Sequence, residues 1–137
     1  ALIEATGVPL AGKTAALLVN SVTFAEPIGA LLAARGVNSK TILMEDYSKE
    51  MPIIKNADIL VVAFGRPKFI RGEMIKKNVV VIDVGTTRVG ERTVGDVDAE
   101  SVAGLSGWLS PVPGGVGPMT VAMLLQNVLE ASKLSKK

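Results

Sequence analysis

Four short runs of apolar residues, Ala15–Val19, Thr41–Met44, Ile59–Ala63 and Val79–Val84, punctuate an otherwise mixed chain. Each is continuous rather than alternating and rich in Val, Ile or Leu, the pattern of strands buried on both faces of a parallel sheet. Between the first two, Phe24–Gly36 reads as a helix, with Pro27 suited to an early helical position and Gly36 to a C-terminal cap. Asp46–Asn56 predicts a weaker helix interrupted by Pro52, and Gly72–Lys77 a short helical piece after the Gly65-Arg66-Pro67 turn. Arg88–Val97 predicts a small β-ribbon turning at Gly90-Glu91. Pro118–Lys133 predicts a closing helix with apolar positions at Val121, Leu124, Leu125 and Val128. Strands alternating with helices at this spacing need right-handed crossovers. They predict an α/β fold with a doubly wound, mostly parallel sheet and helices on both faces.

Length and composition narrow the function. A chain of 137 residues suits one domain, 1–137, with a core of its own. Apolar residues make up 48% and charged residues 20%, a globular balance, and no apolar run approaches the roughly 18 residues that span a bilayer. No membrane association is expected. The net charge is only +2 and the cations are scattered apart from Lys133, Lys136 and Lys137, which read as a solvated tail rather than a nucleic-acid patch. The chain has no cysteine and no histidine, which excludes disulfides, thiol nucleophiles, zinc sites and any Ser-His-Asp arrangement. Chemistry here must use other groups or a bound cofactor. The opening Ala1-Leu-Ile-Glu-Ala5 reads as the end of a helix already under way, so a fragment of a longer enzyme is expected.

Gly7-Val-Pro-Leu-Ala-Gly12-Lys13-Thr14 satisfies the phosphate-loop pattern G-x-x-x-x-G-K-[ST] letter for letter. That loop works only between a preceding strand and a following helix, where backbone N–H groups converge on the phosphates. Here Ala1–Thr6 is too short and too helix-like to be the strand, and an apolar run follows Thr14. A helix continuing from Lys13 to Arg35 would enclose Pro27 at a cost of roughly 3 kcal/mol. The segment is therefore read as a helix-to-strand loop with a solvent-facing lysine.

In open parallel sheets, ligands bind beyond the carboxyl ends of the strands. Four loops qualify: Asn20-Ser21-Val22-Thr23, Glu45-Asp46, Phe64-Gly65-Arg66-Pro67, and Gly85-Thr86-Thr87-Arg88. A fifth, Pro111–Thr120, combines three prolines with three glycines and opens the last helix. Glycines admit close approach of a ligand, prolines restrict the loop, and Thr120 offers a hydroxyl near a helix start. Asp83 and Asp96 are either acid-base groups or structural hydrogen-bonding groups at strand ends.

Four segments carry a family likeness: Ala57-Asp-Ile-Leu-Val-Val-Ala-Phe-Gly-Arg-Pro67, Val80-Val-Ile-Asp-Val-Gly85, Val94-Gly-Asp-Val97 and Pro111-Val-Pro-Gly-Gly-Val-Gly-Pro-Met-Thr-Val-Ala-Met-Leu-Leu125. With them the chain resembles the C-terminal, Rossmann-like NAD(P)-binding domain of the bifunctional methylenetetrahydrofolate dehydrogenase/cyclohydrolase family. The resemblance implies oxidation of methylene- to methenyl-tetrahydrofolate with NAD or NADP, hydrolysis of the product in most members, a folate substrate, and a cytoplasmic homodimer. It implies a cofactor site built from Asn20, Ser21, Thr23, Glu45, Ala63, Gly65, Arg66, Pro67, Gly85, Thr86, Gly115, Gly117 and Thr120. The nicotinamide is expected near Gly85, Thr86 and the Gly114–Thr120 loop, and the adenosine half near Ser21 and Glu45. The family's catalytic tyrosine and lysine belong to an N-terminal domain that this chain lacks, so no catalytic residue is assigned here.

The family pattern Gly-Arg-Ser-x-x-x-Gly-x-Pro keeps Ser21 and Pro27, but its glycines are Val19 and Ala25 and its arginine is Asn20. That arginine would face the 2′-phosphate of NADP. Instead, Glu45-Asp46 ends the second strand, where an acidic side chain can bond the ribose diol of NAD. A carboxylate about 4 Å from a 2′-phosphate would be repelled by roughly 4 kcal/mol per unit charge at an effective dielectric of 20. NAD is therefore expected over NADP. The alternative reading of Glu45 and Asp46 is an ordinary helix start. The alternative function is a degenerate, non-catalytic dinucleotide-binding or dimerisation module.

Overall fold

In the computed structural model, which describes residues 1–135, the four apolar runs become neighbouring strands. In chain order the elements are α1 (Leu2–Ala5), β1 (Thr14–Val19), α2 (Val22–Ala33), β2 (Asn38–Leu43), α3 (Met51–Asn56), β3 (Ile59–Ala63), a 3-10 turn (Gly72–Met74), β4 (Val80–Asp83), β5 (Thr87–Val89), β6 (Arg92–Val94), α4 (Ala99–Val102), β7 (Trp108–Leu109) and α5 (Val116–Ser135). The sheet order is β2-β1-β3-β4-β7 and every pairing is parallel. β5 and β6 form a separate antiparallel ribbon whose turn falls at Gly90-Glu91, as the sequence predicts, with Gly90 at φ 61°. Lys136 and Lys137 of the basic tail lie outside the described residues.

The pleat explains why the central strands β1, β3 and β4 are almost wholly apolar. Ala16, Leu18, Leu60, Val62 and Val81 project to one side, against Ile54 of α3 and Val102 of α4. Ala15, Leu17, Val19, Val61 and Ile82 project to the other, against Ala25 and Leu32 of α2. Each such side chain, fully buried, contributes roughly 1.5–3 kcal/mol for the larger residues. The fold is thus α/β and Rossmann-like, with both faces of the sheet covered. No helix among the described residues is long and apolar enough to cross a membrane.

Several boundaries depart from the sequence reading. β2 begins at Asn38, because the exposed polar residues Asn38, Ser39 and Lys40 pair with Thr14, Ala15 and Ala16 at the sheet edge. α2 begins at Val22, so Pro27 lies inside the helix rather than at an early position. It cannot bond the carbonyl of Thr23, but both residues are exposed and solvent can take that bond. α3 begins only at Met51, with Pro52 in its first turn, and Asp46–Glu50 is a run of turns. The helical piece after Pro67 shrinks to Gly72–Met74. α5 is longer than expected and none of its residues is fully buried: its start packs through Val116 on the core, while Val121, Leu124, Leu125 and Val128 are 60–66% exposed.

Candidate functional site

The chain leaves β1 for β2 on one side and later returns to β3 on the other, so the carboxyl ends of β1 and β3 form a topological switch point. Leu43, Val19 and Ala63 stand in register across the three strands, which sets the loops after them side by side. Asn20 closes this point: its side-chain amide donates to the carbonyl of Phe64 at 2.6 Å. The next residue, Gly65, takes φ 69°, a left-handed conformation that glycine adopts without strain. Ser21 caps α2 in an extended conformation without using its hydroxyl as a cap. That hydroxyl, Thr23 and the unpaired first-turn N–H groups are exposed together, a donor set that fits a phosphate. Val19, the last residue of β1, and Ala25 of α2, which stand where the resemblance leads one to expect glycine, are buried.

At the end of β4 two buried carboxyl groups organise the neighbouring loops. Asp83 accepts hydrogen bonds from the backbone N–H of Gly85 at 2.9 Å, Asp96 at 3.1 Å and Val97 at 2.9 Å. Asp96 accepts from the Gly65 N–H at 2.7 Å through Oδ2, while its buried Oδ1 has no partner. Burial pushes the Asp83 carboxyl above the usual aspartate range, the three N–H donors pull it back, and the nearby Asp96 raises it further. Both aspartates thus hold backbone in place, which decides between the two readings the sequence leaves open. Ser110, which the sequence reading missed, belongs to the same network, since the Asp83 N–H donates to its hydroxyl at 2.8 Å. Its only signal was the apolar pair Trp108-Leu109 before it, too short to announce a strand.

Gly85 also has a packing role. A Cβ there would collide with the Asp96 carboxyl, so its missing side chain admits that group from within. Gly115 likewise has an internal reason, for its Cβ would lie 2.5 Å from the Pro111 carbonyl oxygen. Gly117 has open space on its Cβ side. The Val112-Pro113 peptide is cis and Gly114 takes φ 103°. Because α5 starts at Val116, Thr120 is beyond the first turn, and its hydroxyl donates to the Val116 carbonyl at 2.9 Å rather than waiting at a helix start.

Phe24 and Ile28 of α2, Val61 within β3, Val84 just past β4, and Met119 and Thr120 of α5 line one cavity of about 570 Å³. Of the thirteen candidate residues only Thr120 lines it; Asn20, Ser21 and Thr23 follow β1, Glu45 follows β2, Ala63 ends β3 with Gly65, Arg66 and Pro67 after it, and Gly85 and Thr86 follow β4. Ala63 is half-buried, and Arg66, Pro67 and Thr86 are exposed. Glu45 is exposed in the turn after β2, and Asp46 pairs with Lys49 at 3.6 Å. Neither opens a helix, since α3 begins at Met51.

Lys13 sits at the opposite, amino edge of the sheet. The Gly12 N–H donates to the Gly36 carbonyl at 2.8 Å, strand β1 follows at once, and Lys13 faces Asp58 at 3.7 Å. Asp58 also accepts from Lys76 Nζ at 2.7 Å and the Thr14 N–H at 2.9 Å; the Lys76 bond leads in holding its carboxyl down at about 2. No phosphate loop exists there.

The model of the tetrahydrofolate dehydrogenase/cyclohydrolase NAD(P)-binding domain matches residues 1–136. The chain belongs to this family. Bifunctional protein FolD of Moorella thermoacetica is 44% identical over 134 residues, 96% of this chain and 47% of that protein. Its counterpart in Natranaerobius thermophilus is 43% identical over 133 residues, 96% of this chain and 46% of its own length. The crystal structure of the Trypanosoma brucei methylenetetrahydrofolate dehydrogenase-cyclohydrolase, complexed with NADP and an inhibitor, superposes with a TM-score of 0.90 at 36% identity, covering 99% of this chain and 48% of that one. The Campylobacter jejuni enzyme superposes at 0.89 with 35% identity, covering 97% and 47%. The chain therefore spans about half the length of the curated relatives it matches, and the matched half is the NAD(P)-binding domain of the family.

Proposed function

We propose that this chain, as one domain over 1–137, is the cofactor-binding half of a methylenetetrahydrofolate dehydrogenase. The observation that carries the reading is the family match over residues 1–136 combined with a switch point where unpaired N–H groups of α2 stand beside Ser21 and Thr23. In the complete enzyme, the bound dinucleotide accepts a hydride from a folate one-carbon adduct, and cyclohydrolase activity accompanies it. This chain's residues bind and orient. Ser21, Thr23 and the start of α2 hold the pyrophosphate, and Glu45 takes the ribose diol of the adenosine half. Gly85, Thr86, Gly115, Gly117 and Thr120 border the nicotinamide half. Asn20, Ala63, Gly65, Arg66 and Pro67 form the floor and rim between them. Folate and the catalytic side chains sit on the other half, and the complete enzyme works as a cytoplasmic homodimer.

Asn20 and Glu45 favour NAD over NADP, because no side chain of the arginine type follows β1 and a carboxylate follows β2. Calorimetric titration of this chain with both dinucleotides tests the reading. NAD is expected to bind at least about tenfold more tightly, a conservative fraction of the repulsion estimated for one carboxylate against a phosphate. Tighter binding of NADP would overturn the preference. A second reading, a degenerate module that binds no dinucleotide, is favoured by one feature: the Asn20 amide is already engaged by Phe64 and Ala25 fills the place of a glycine. It expects no heat with either titrant.

A further inference from the structure

Asp83 and Asp96 are 3% and 0% exposed, and neither forms an ion pair among the described residues. Lys68, in the loop after β3, faces Asp98 instead, at 3.8 Å, and Arg66 in that loop is exposed and forms no ion pair among the described residues. Buried carboxyl groups usually meet a cation, and here they meet backbone N–H groups alone. Those donors are the amides of Gly65 and Gly85, in the loops after β3 and β4, together with those of Asp96 and Val97. The pair therefore sits directly behind the strand-end loops. The unpartnered Oδ1 of Asp96 presses on Gly85, in the space a side chain would otherwise fill.

The geometry points to Asp96 as the group that selects the redox form of the cofactor. An uncompensated negative charge behind Gly85 attracts the cationic ring of an oxidised nicotinamide and gives no such attraction to the neutral reduced ring. This rests on the proposed dinucleotide site, with the nicotinamide beside Gly85. Asp96 would act through space and through the position of Gly85, without touching the ring, so it is a positioning and selecting residue rather than a catalytic one.

The test titrates the unmodified chain with ADP-ribose, oxidised NAD and reduced NAD. ADP-ribose reports the shared part of the site. The oxidised ring is expected to tighten binding beyond ADP-ribose, and beyond the reduced form by about tenfold. Asp96→Asn keeps an oxygen for the Gly65 N–H while removing the charge, and is expected to bring the ratio of oxidised to reduced affinity close to one. A merely structural role would lower stability or weaken all three ligands alike, leaving that ratio unchanged, and such a result overturns the inference. The wild-type comparison stands alone should the variant fail to fold: reduced NAD binding as tightly as oxidised NAD refutes the assignment. If ADP-ribose itself does not bind, the dinucleotide site is refuted, and the charge selection with it.

Discussion

At the scale of single residues, the two ends of the sheet use carboxylates in opposite ways. Asp58, at the amino edge, is held at about 2 against an ordinary value of 3.8, chiefly by its bond from Lys76. A carboxyl whose folded pKa is depressed stabilises the fold above its unfolded value, and that contribution is lost as pH falls through the folded one. Asp58→Asn is thus expected to cost about 1–2 kcal/mol at pH 7, allowing for partial solvent screening, and progressively less between about pH 4 and pH 2. Urea midpoints at pH 7 and pH 2.5 check this; a penalty unchanged by acid would contradict it. Asp83 runs the other way. Burial raises its pKa, so the folded state holds its proton more readily, and stability falls as pH rises from the unfolded value through the folded one. Gly85 and Gly117 supply a second contrast. Gly85→Ala drives a Cβ into the Asp96 carboxyl and is expected to cost about 2 kcal/mol or more, whereas Gly117→Ala meets open space and should stay within about 1 kcal/mol. Equal losses in thermal unfolding would refute the packing argument.

At the scale of elements, burial decided what the sequence could disclose. β1, β3 and β4 were legible because both their faces are covered, so every position but Thr14 and Asp83, at the ends of β1 and β4, is apolar. β2 was half legible: Ile42 is buried, but Asn38–Lys40 pair at an edge where polar side chains suit the solvent. β7 and α4 were invisible, being two and four residues long and held by β4 and the core rather than by a periodic pattern of their own. The candidate loops were legible from position and composition, but the purpose of individual glycines was not. Gly85 and Gly115 yield to neighbours distant in sequence, Asp96 and the Pro111 carbonyl, which no local pattern reveals. α5 shows the limit from the other direction, for its apolar stripe reads as core-facing yet is exposed along its length. Leu124→Gln and Val128→Gln should accordingly change the stability of this chain by less than about 0.5 kcal/mol each, since no buried contact is lost. A loss of about 2 kcal/mol or more in chemical unfolding would mean that the stripe is covered in solution.

At the scale of the whole molecule, the doubly wound sheet separates two candidate phosphate sites by the full length of its strands. The Gly7–Thr14 segment has the letters of a phosphate loop at the amino edge, where Lys13 is turned toward Asp58 and a strand follows. The carboxyl edge has few of the family's phosphate-loop letters after β1, but it has the switch point, the open start of α2 and the proline-glycine loop. Topology outweighs the motif because a phosphate is held by converging backbone N–H groups, and only one end of this sheet supplies them. The measurement that tests this most directly is the mapping of backbone amide chemical shifts in this chain on addition of NAD. The shifts should gather at Ser21, Thr23, Gly65, Gly85 and Gly117, with Gly12, Lys13 and Lys76 unmoved. Shifts confined to Gly12 and Lys13, or none at any of these amides, would contradict the account.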